Sequence, residues 1–288
     1  MKVNIHKHNQ TGYPAVLANI YDPPGQLYWT GAEPASWLDL PRVGIVGSRK
    51  PTTYGRQVTY KFSSTLAARG VVIISGLAFG IDSIAHQAVI EAGGLTVAVL
   101  PGSLEQIYPA SHRALAEKIL RSGGTLVSEY PPGTEIRAHN FIARNRIISG
   151  LSDALLITQA GVKSGSLHTA NFAIEQGKTV MCVPGDITVA LNEGSNNLIK
   201  GGGLPVTTAE DVIFALGLNL QPTKSNRKIF QGSAQQQLIF DLIRQGVSDQ
   251  EELAVRSRLD SAVFSTALTM LEISGYIRAS GAGQWTIA

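Results

Sequence analysis

Apolar runs alternate with amphipathic stretches through most of this chain, and the alternation predicts its elements. Six apolar runs predict buried strands near residues 43–46, 71–75, 95–100, 125–128, 153–158 and 179–183. Between them apolar residues recur at helical spacing, as Val58, Phe62 and Leu66 do, and glycines follow most of these stretches. The predicted helices cover 53–69, 82–92, 111–122, 141–150, 166–176 and 209–216.

This order of strand, short loop and helix is typical of an α/β fold with a doubly wound, mostly parallel sheet. The strands are nearly continuous apolar runs, as expected when helices cover both faces of a sheet. Residues 1–41 lack clear periodicity and are predicted to be a lead-in packed on the main domain, which covers 42–217. Tyr28, Trp29 and Trp37 are expected to cover one face of that domain by aromatic packing.

The sequence changes character after residue 217 and predicts a second domain. Residues 218–233 are polar and basic, which is typical of a linker. Residues 234–288 contain three helical patterns and two short strands, the layout of a winged helix-turn-helix, and 248–251 predict a capping box for its second helix. This segment holds four basic and six acidic side chains, whereas a domain that grips duplex DNA should be basic. We therefore expect it to contact protein, or to be a scaffold remnant, rather than to read DNA.

Bulk composition sets further limits. The chain has 288 residues, 44% of them hydrophobic, and a net charge of +3, which is too small to identify a nucleic-acid binder by itself. The single cysteine, Cys182, lies in an apolar run and is expected in the core, which excludes a disulfide within the chain and a cysteine-cluster zinc site. No apolar stretch approaches the ~18 residues of a membrane span, and the N-terminus has no apolar signal-peptide core. We expect a cytoplasmic protein without membrane contact.

Right-handed crossovers bring the loops that follow parallel strands to one edge of the sheet, where ligands of open α/β sheets bind. The loops expected at that edge are 47–49, 75–76, 101–103, 163–166 and 184–185. The sequence therefore predicts that chemistry carried by any of these loops is gathered along one rim.

Two of these loops combine small residues with a cation, a pattern that favours phosphate binding. They are Gly47-Ser48-Arg49 and Lys163-Ser164-Gly165-Ser166. Small residues let backbone amides approach an anion, an arginine grips phosphate with two hydrogen bonds, and a lysine adds a point charge. Arg144 and Arg146 lie two positions apart on a predicted helix and face different ways. One is expected to face the groove and the other to pair with an acid.

Patterns for catalysis, metal binding or nucleotide cofactors are not found. Residues 44–49 lack the spacing of a dinucleotide fingerprint, and 177–179 lack the preceding glycine of a Walker A motif. No histidine pair has zinc-helix spacing, and no nucleophile elbow occurs. Asp82 and His86 lie four apart on one helix face, but a helix cap plus a buried, hydrogen-bonded histidine is preferred over an acid–base pair. We predict that the protein is not an enzyme and that it binds no metal and no cofactor.

Four segments of the sequence, in order, closely resemble the motifs of the DNA-processing protein A family, also called DprA or Smf. They are residues 44–49, 75–86, 141–152 and 163–166. The resemblance spans roughly 13–217, and the C-terminal winged helix also fits the family. It implies an extended Rossmann-like domain that binds single-stranded DNA, and a homodimer that protects incoming strands and loads the recombinase RecA onto them during natural transformation.

The resemblance also implies site residues. The family's DNA-contacting arginine would fall on Arg49 and its lysine on Lys163, and the run Arg144-Asn145-Arg146 is carried over as pocket residues. Binding of a strand without regard to sequence needs a cationic groove and stacking surfaces. Phe141 and Phe172 are candidates for stacking on a base, with core packing as the alternative for each.

Two alternatives come from other functional classes. Enzymes resembling the cytokinin-activating phosphoribohydrolases share this fold type and carry a Pro-Gly-Gly-x-Gly-Thr loop with a downstream glutamate. Residues 161–166 stand at the equivalent place here, without the Pro-Gly pair and with Lys163 inserted, although Glu175 follows. A regulator that binds duplex DNA through the winged helix is disfavoured by the negative charge of that segment.

Overall fold

A computed structural model of the protein describes residues 3–8, 10–218, 232–281 and 283–287. The described residues form two compact units, one before and one after 219–231. The predicted linker, 218–233, lies almost entirely outside the described residues. The boundaries predicted for the lead-in, 1–41, and for the main domain, 42–217, remain predictions. Each unit is considered by itself below.

The larger unit alternates strands and helices as the hydrophobic pattern predicts. Its strands are β1 (Asn4–Lys7), β2 (Gln26–Gly31), β3 (Arg42–Val46), β4 (Val72–Ser75), β5 (Thr96–Val99), β6 (Thr125–Ser128), β7 (Ala154–Ile157), β8 (Thr179–Cys182) and β9 (Leu204–Pro205). Its helices are α1 (Ala15–Ala18), α2 (Ala35–Leu38), α3 (Thr53–Ala68), α4 (Ile81–Glu91), α5 (Arg113–Arg121), α6 (Ala138–Leu151), α7 (Ser166–Glu175), α8 (Glu193–Lys200) and α9 (Ala209–Ala215).

Within the described residues these strands form one sheet in the order β1-β2-β6-β5-β4-β3-β7-β8-β9. The strands from β6 to β9 in this order are parallel, whereas β2 pairs antiparallel with β6, and β1 with β2. The doubly wound, Rossmann-like fold is thereby confirmed. The strand order reverses between β3 and β7, which is the point where open α/β sheets bind ligands. The loops carrying Arg49 and Lys163 follow those two strands.

The six predicted strands and the six predicted helices are present, and their cores lie on both faces of the sheet. The sequence pattern missed β1, β2, β9, α1, α2 and α8. β2 has four consecutive buried residues, 27–30, and so lacks the alternation of a half-buried strand. The sequence of α8 is mostly polar, which hides its helical period. Trp37 and Cys182 are buried in the core, as expected.

The smaller unit has the predicted winged-helix layout. It consists of α10 (Ala234–Arg244), α11 (Gln250–Ser257), α12 (Ser261–Ile273), β10 (Ile277–Gly281) and β11 (Gln284–Ile287). One detail of the prediction is wrong, because the N-cap of α11 is Asp249 rather than Ser248. The Asp249 carboxylate accepts from the amides of Glu251 and Glu252, and the Ser248 hydroxyl bonds Gln284 instead. Whether this unit contacts protein stays a prediction.

Among the helices of the described residues, none combines the length and the apolar character needed to cross a membrane.

Candidate nucleic-acid interface

A cleft of about 720 Å³ lies where the loops after β3 and β7 meet the first half of α6. Its lining includes Gly47, Ser48, Arg49, Asp82, Tyr108, Phe141, Arg144, Asn145, Lys163, Ser164, Gly165 and Ser166. The structure thus brings together the predicted site residues, with the exception of Arg146. Arg49 and Lys163 share this one cleft because right-handed crossovers place the carboxyl ends of β3 and β7 side by side.

The loop after β3 is held rigidly and presents Arg49 to solvent. The Ser48 amide donates to the carbonyl of Gln159 at 2.8 Å, and the Ser48 hydroxyl accepts from the Lys50 amide at 3.1 Å. Gly47 is required there, since a Cβ would lie 2.6 Å from the Gln159 carbonyl oxygen. The Arg49 guanidinium carbon lies 5.4 Å from the centre of the Phe141 ring, a cation–π contact.

The loop after β7 places a second cation at the start of α7. Lys163 and Gly165 are exposed, and α7 begins at Ser166. The hydroxyls of Ser164 and Ser166 lie 2.8 Å apart and bond each other. A Cβ on Gly165 would meet nothing within 4 Å, so the space in front of the helix is open. Helix N-termini attract anions through their amides and macrodipole, and Lys163 adds its charge to this effect.

Arg144 forms part of the cleft floor. It is buried, and its guanidinium donates to the carbonyl of Gly76 at 2.6 Å and to that of Val99, joining the ends of β4 and β5. Burial, opposed by the charge of Asp82, lowers the pKa of Arg144 to about 10, so the group stays protonated at neutral pH. A Cβ on Gly76 would lie 2.6 Å from the Arg144 guanidinium carbon, which explains the glycine at this position.

Asn145 and Arg146 have different surroundings from Arg144. The Asn145 amide donates to the Gly165 carbonyl at 3.3 Å and so ties α6 to the loop after β7. Arg146 lies outside the cleft, where its guanidinium donates to both carboxylate oxygens of Glu129 at 2.8 and 2.7 Å and lies 3.1 Å from that of Asp22. Burial works against its charge, but the bonds and charge of Glu129 prevail and raise the pKa of Arg146. The expectation that Arg146 is a pocket residue is not supported by these contacts.

Asp82 and His86 do not form an acid–base pair. The prediction that Asp82 caps α4 is wrong, because the residue at the N-cap is Gly80. The Asp82 carboxylate instead accepts from the amides of Gly76 and Ala78, at 3.0 and 3.4 Å, and burial raises its pKa. His86 is buried and bonds the Thr96 hydroxyl at 2.7 Å, as the preferred interpretation expected, and burial lowers its pKa to about 3.

Other predicted rim positions contribute less to the cleft. The loops 75–76, 101–103 and 184–185 do not line it. Glu175, which the phosphoribohydrolase alternative would use, is the last residue of α7 and lies at the end of the helix opposite Lys163. Tyr108 was not predicted, and its ring packs edge to face on Phe141 with the centroids 5.3 Å apart. The signal that could have pointed to Tyr108 is its place in the segment after β5, at the same edge of the sheet as Arg49.

A larger groove of about 820 Å³ lies beside α7 and α8 and has a different character. Its lining is mostly apolar and includes Val162, Leu167, Ile174, Leu198 and Leu204. The lysine in this groove, Lys178, donates to the carbonyls of Gly150 and Ser152 at the end of α6. The smaller cleft is therefore the better site for an anion.

Comparison with known proteins assigns both units to related families. The family model of the DNA recombination-mediator protein A matches residues 4–217, and that of the DprA winged helix domain matches residues 223–283. Protein Smf of Escherichia coli is 39% identical over 278 residues, which cover 94% of this chain and 74% of that protein. The DNA processing protein DprA of Bacillus subtilis is 42% identical over 205 residues, covering 71% and 68%.

Two solved structures are similar in fold and sequence. The DNA processing protein A of Streptococcus pneumoniae superposes with a TM-score of 0.69 at 37% identity, covering 74% of each chain. The DNA processing protein A of Helicobacter pylori, described for its single-stranded DNA binding mode, superposes with a TM-score of 0.67 at 31% identity. The match covers 75% of this chain and 95% of that one.

Proposed function

We propose that this chain, which belongs to the DNA recombination-mediator protein A family, binds single-stranded DNA in the cleft between the ends of β3 and β7. The observation that carries the proposal is the meeting of two exposed cations in one cleft. Arg49 and Lys163 are exposed, line the same cleft, and make no ion pair or hydrogen bond with any residue that the structure describes. Phosphate oxygens are natural partners for both groups.

Meeting in one cleft is what distinguishes these two cations, since other exposed lysines, such as Lys61 and Lys118, also make no ion pair within the described residues. Arg42, Arg69 and Arg146, by contrast, each pair with a carboxylate, as exposed Arg121 and Arg256 do within their helices. The acid that lines the cleft, Asp82, accepts hydrogen bonds from the backbone amides of Gly76 and Ala78. The cleft therefore keeps a positive surface, which a polyanion can neutralise with release of counterions.

The cleft supplies what binding without sequence preference requires. Arg49, Lys163 and the amides at the start of α7 can hold phosphates, while the ring of Phe141 lies beside them. The stacking surfaces are accessible to unpaired bases, whereas a duplex hides its base faces. The proposal assigns binding and not catalysis to these residues.

Finer aspects of the proposal rest on family membership. We propose that the protein acts as a homodimer in the cytoplasm, protects strands taken up during natural transformation, and loads the recombinase RecA onto them. The proposed loading of RecA is measured as the rate of RecA filament formation on single-stranded DNA, with and without the protein. A rate that does not rise would contradict the loading role while leaving strand binding intact.

Strand binding is tested by titrating labelled oligo-dT at several salt concentrations. Each phosphate contact contributes about −0.7 to the slope of log affinity against log salt for single strands. The variant Arg49→Ala/Lys163→Ala should bind far more weakly, and its slope should be shallower by about 1.4 because two contacts are lost. Between about 50 and 200 mM salt the gap between wild type and variant should shrink roughly sevenfold.

A charge-matched variant controls for net charge. Lys61 and Lys118 are exposed and do not line the cleft, so Lys61→Ala/Lys118→Ala removes the same charge elsewhere. It should retain the wild-type slope and most of the affinity. Equal losses in the two double variants, or none in either, would refute the proposed site.

A further inference from the structure

Three aromatic side chains border a small recess that adjoins the cleft beside Arg49. The recess is lined by Arg49, Gly76, Ala78, Phe79, Tyr108, Pro109, Phe141 and Arg144. We call Phe79, Tyr108 and Phe141 the aromatic shelf. Phe79 follows β4 and Tyr108 follows β5, so the shelf extends the cleft along the carboxyl edge beyond β3.

The backbone before Phe79 is arranged to turn this ring outward. Leu77 is fully buried and has a φ of 58°, in the left-handed region that residues with a side chain rarely adopt. The His112 Nδ1–H donates to the Leu77 carbonyl at 2.8 Å, and the His112 ring meets the Phe79 ring edge to face at 4.9 Å. Phe79 is nonetheless 48% exposed. The chain thus holds an apolar ring in solvent at a conformational cost.

Tyr108 is held in a similar way on the other side of the recess. Its ring contacts Phe141 at an interplanar angle of 72°, and 46% of the residue remains exposed. Phe141 in turn carries Arg49 on its ring. Rings in edge-to-face pairs keep an uncovered face, which is the surface on which a nucleobase stacks.

Exposure alone would not single out these residues. Tyr21 and Phe214 are each 86% exposed, more than either Phe79 or Tyr108. Neither lines the cleft or the recess. Phe79 and Tyr108 differ in being fixed by a neighbouring ring and in sharing one recess with a cation of the proposed site.

We propose that Phe79 and Tyr108 stack on nucleobases of the strand whose phosphates are held by Arg49 and Lys163. This inference rests on the proposed function and assigns the direction in which the strand continues. The recess itself has a volume of about 20 Å³, room for a water molecule rather than a base. The bases therefore lie against the outer faces of the shelf.

In this arrangement the DNA strand crosses the β-strands in their order in the sheet. Lys163 follows β7, Arg49 follows β3, Phe79 follows β4 and Tyr108 follows β5, which are four adjacent strands. Neighbouring strands lie about 4.8 Å apart, so the path from β7 to β5 measures about 15 Å at the level of the backbone. Phosphate contacts dominate at one end of this path and base contacts at the other.

The test separates base contacts from phosphate contacts. Oligo-dT is compared with an abasic oligomer of equal length, which keeps the phosphates and lacks the bases. Phe79→Ala/Tyr108→Ala should bind oligo-dT at least about 30-fold more weakly, because two stacked bases are lost, with an unchanged salt slope. Its affinity for the abasic oligomer should equal that of the wild type. Arg49→Ala/Lys163→Ala should lose affinity for both.

Conservative and remote variants complete the design. Phe79→Tyr/Tyr108→Phe keeps both rings and should retain wild-type affinity. Phe214→Ala removes an exposed ring that lines neither the cleft nor the recess, and should do the same. The inference is overturned if the alanine variant binds oligo-dT like the wild type, or if it loses equal affinity for the abasic oligomer. Wild-type protein that binds neither oligomer would reject the proposed function, and this inference with it.

Discussion

Replacing Glu129 by glutamine should destabilise the protein while leaving its affinity for single strands intact. Glu129 follows β6 and receives two hydrogen bonds from Arg146 through both of its carboxylate oxygens. The side chains of Arg146 and Glu129 are only 8% and 15% exposed, so the pair is largely removed from water. Glutamine keeps one acceptor oxygen but removes the charge, which leaves the exposed Asp22 carboxylate as the nearby counterion of a buried guanidinium.

The expected loss follows from the contacts that Arg146 keeps. Removing one partner of a buried ion pair costs about 3–5 kcal/mol. Arg146 retains its bonds to the backbone carbonyls of Asp22 and Ala143, both at 2.8 Å, and the nearby Asp22 carboxylate. The lower end of the range, about 3 kcal/mol, therefore applies. For a unit of this size that corresponds to a fall in Tm of roughly 6–12 °C.

Thermal unfolding followed by circular dichroism measures this change, and Asp22→Asn is the matched control. The Asp22 side chain is 71% exposed, and exposed ion pairs contribute less than about 1 kcal/mol. Its loss should lower Tm by no more than about 4 °C. Oligo-dT affinity should stay at the wild-type value in both variants. A Glu129→Gln protein with wild-type Tm, or with the affinity loss of the Arg49→Ala/Lys163→Ala variant, would refute the reasoning.

Two further predictions concern the loop around Arg49 and the buried histidine. Gly80→Ala should destabilise the protein and weaken strand binding, because a Cβ would lie 2.3 Å from the Ser48 carbonyl oxygen and 2.7 Å from the Arg49 backbone. Gly93→Ala, which has a similar positive φ and open space around it, should lower stability alone, and equal affinities in the two variants would contradict this account. The pKa of His86 falls to about 3 in the folded state, from an ordinary value near 6.5 when unfolded. Its contribution to stability is therefore complete above about pH 6.5 and is lost as pH falls towards 3, by about 1.4 kcal/mol per pH unit. Urea unfolding at several pH values should show a slope steeper by that amount in the wild type than in a folded His86→Gln variant; parallel slopes would exclude the histidine as the cause.

Sequence reasoning located the main parts of the site because they depend on topology. Alternation of strands and helices predicts a parallel sheet, and the handedness of crossovers then places every loop after a strand on one edge. Arg49 and Lys163 lie in the loops that follow two strands, so their meeting in one cleft needed no knowledge of tertiary contacts. The family motifs pointed to the same two residues.

The roles of the two arginines on α6 could be predicted only in part. Residues two positions apart on a helix point about 200° apart, so one of Arg144 and Arg146 had to leave the cleft. The choice depends on Glu129, which lies after β6 and makes its contact across the tertiary structure. A local pattern contains no trace of that partner.

The strands of the lead-in and two residues of the aromatic shelf, Phe79 and Tyr108, were not predicted, for the same physical reason. Residues of β2 pair with β6 about a hundred positions later, as Tyr28 does with Ser128. Because both faces of β2 are covered, its sequence lacks the period of two that would identify a strand. The contact of Tyr108 with Phe141 likewise joins the loop after β5 to helix α6, which only the folded sheet brings together.

The short strands at the borders of the sheet bear on how the protein behaves at high concentration. An open border carries unpaired amides and carbonyls, on which strands of neighbouring molecules can add and start an aggregate. Here β2 pairs with β6, and the outermost strand on that side, β1, spans only four residues. The opposite border ends in Pro205, whose nitrogen has no hydrogen to donate. Stacking of copies into continuous ribbons is disfavoured on both sides, so pairing of two molecules is expected to use side chains.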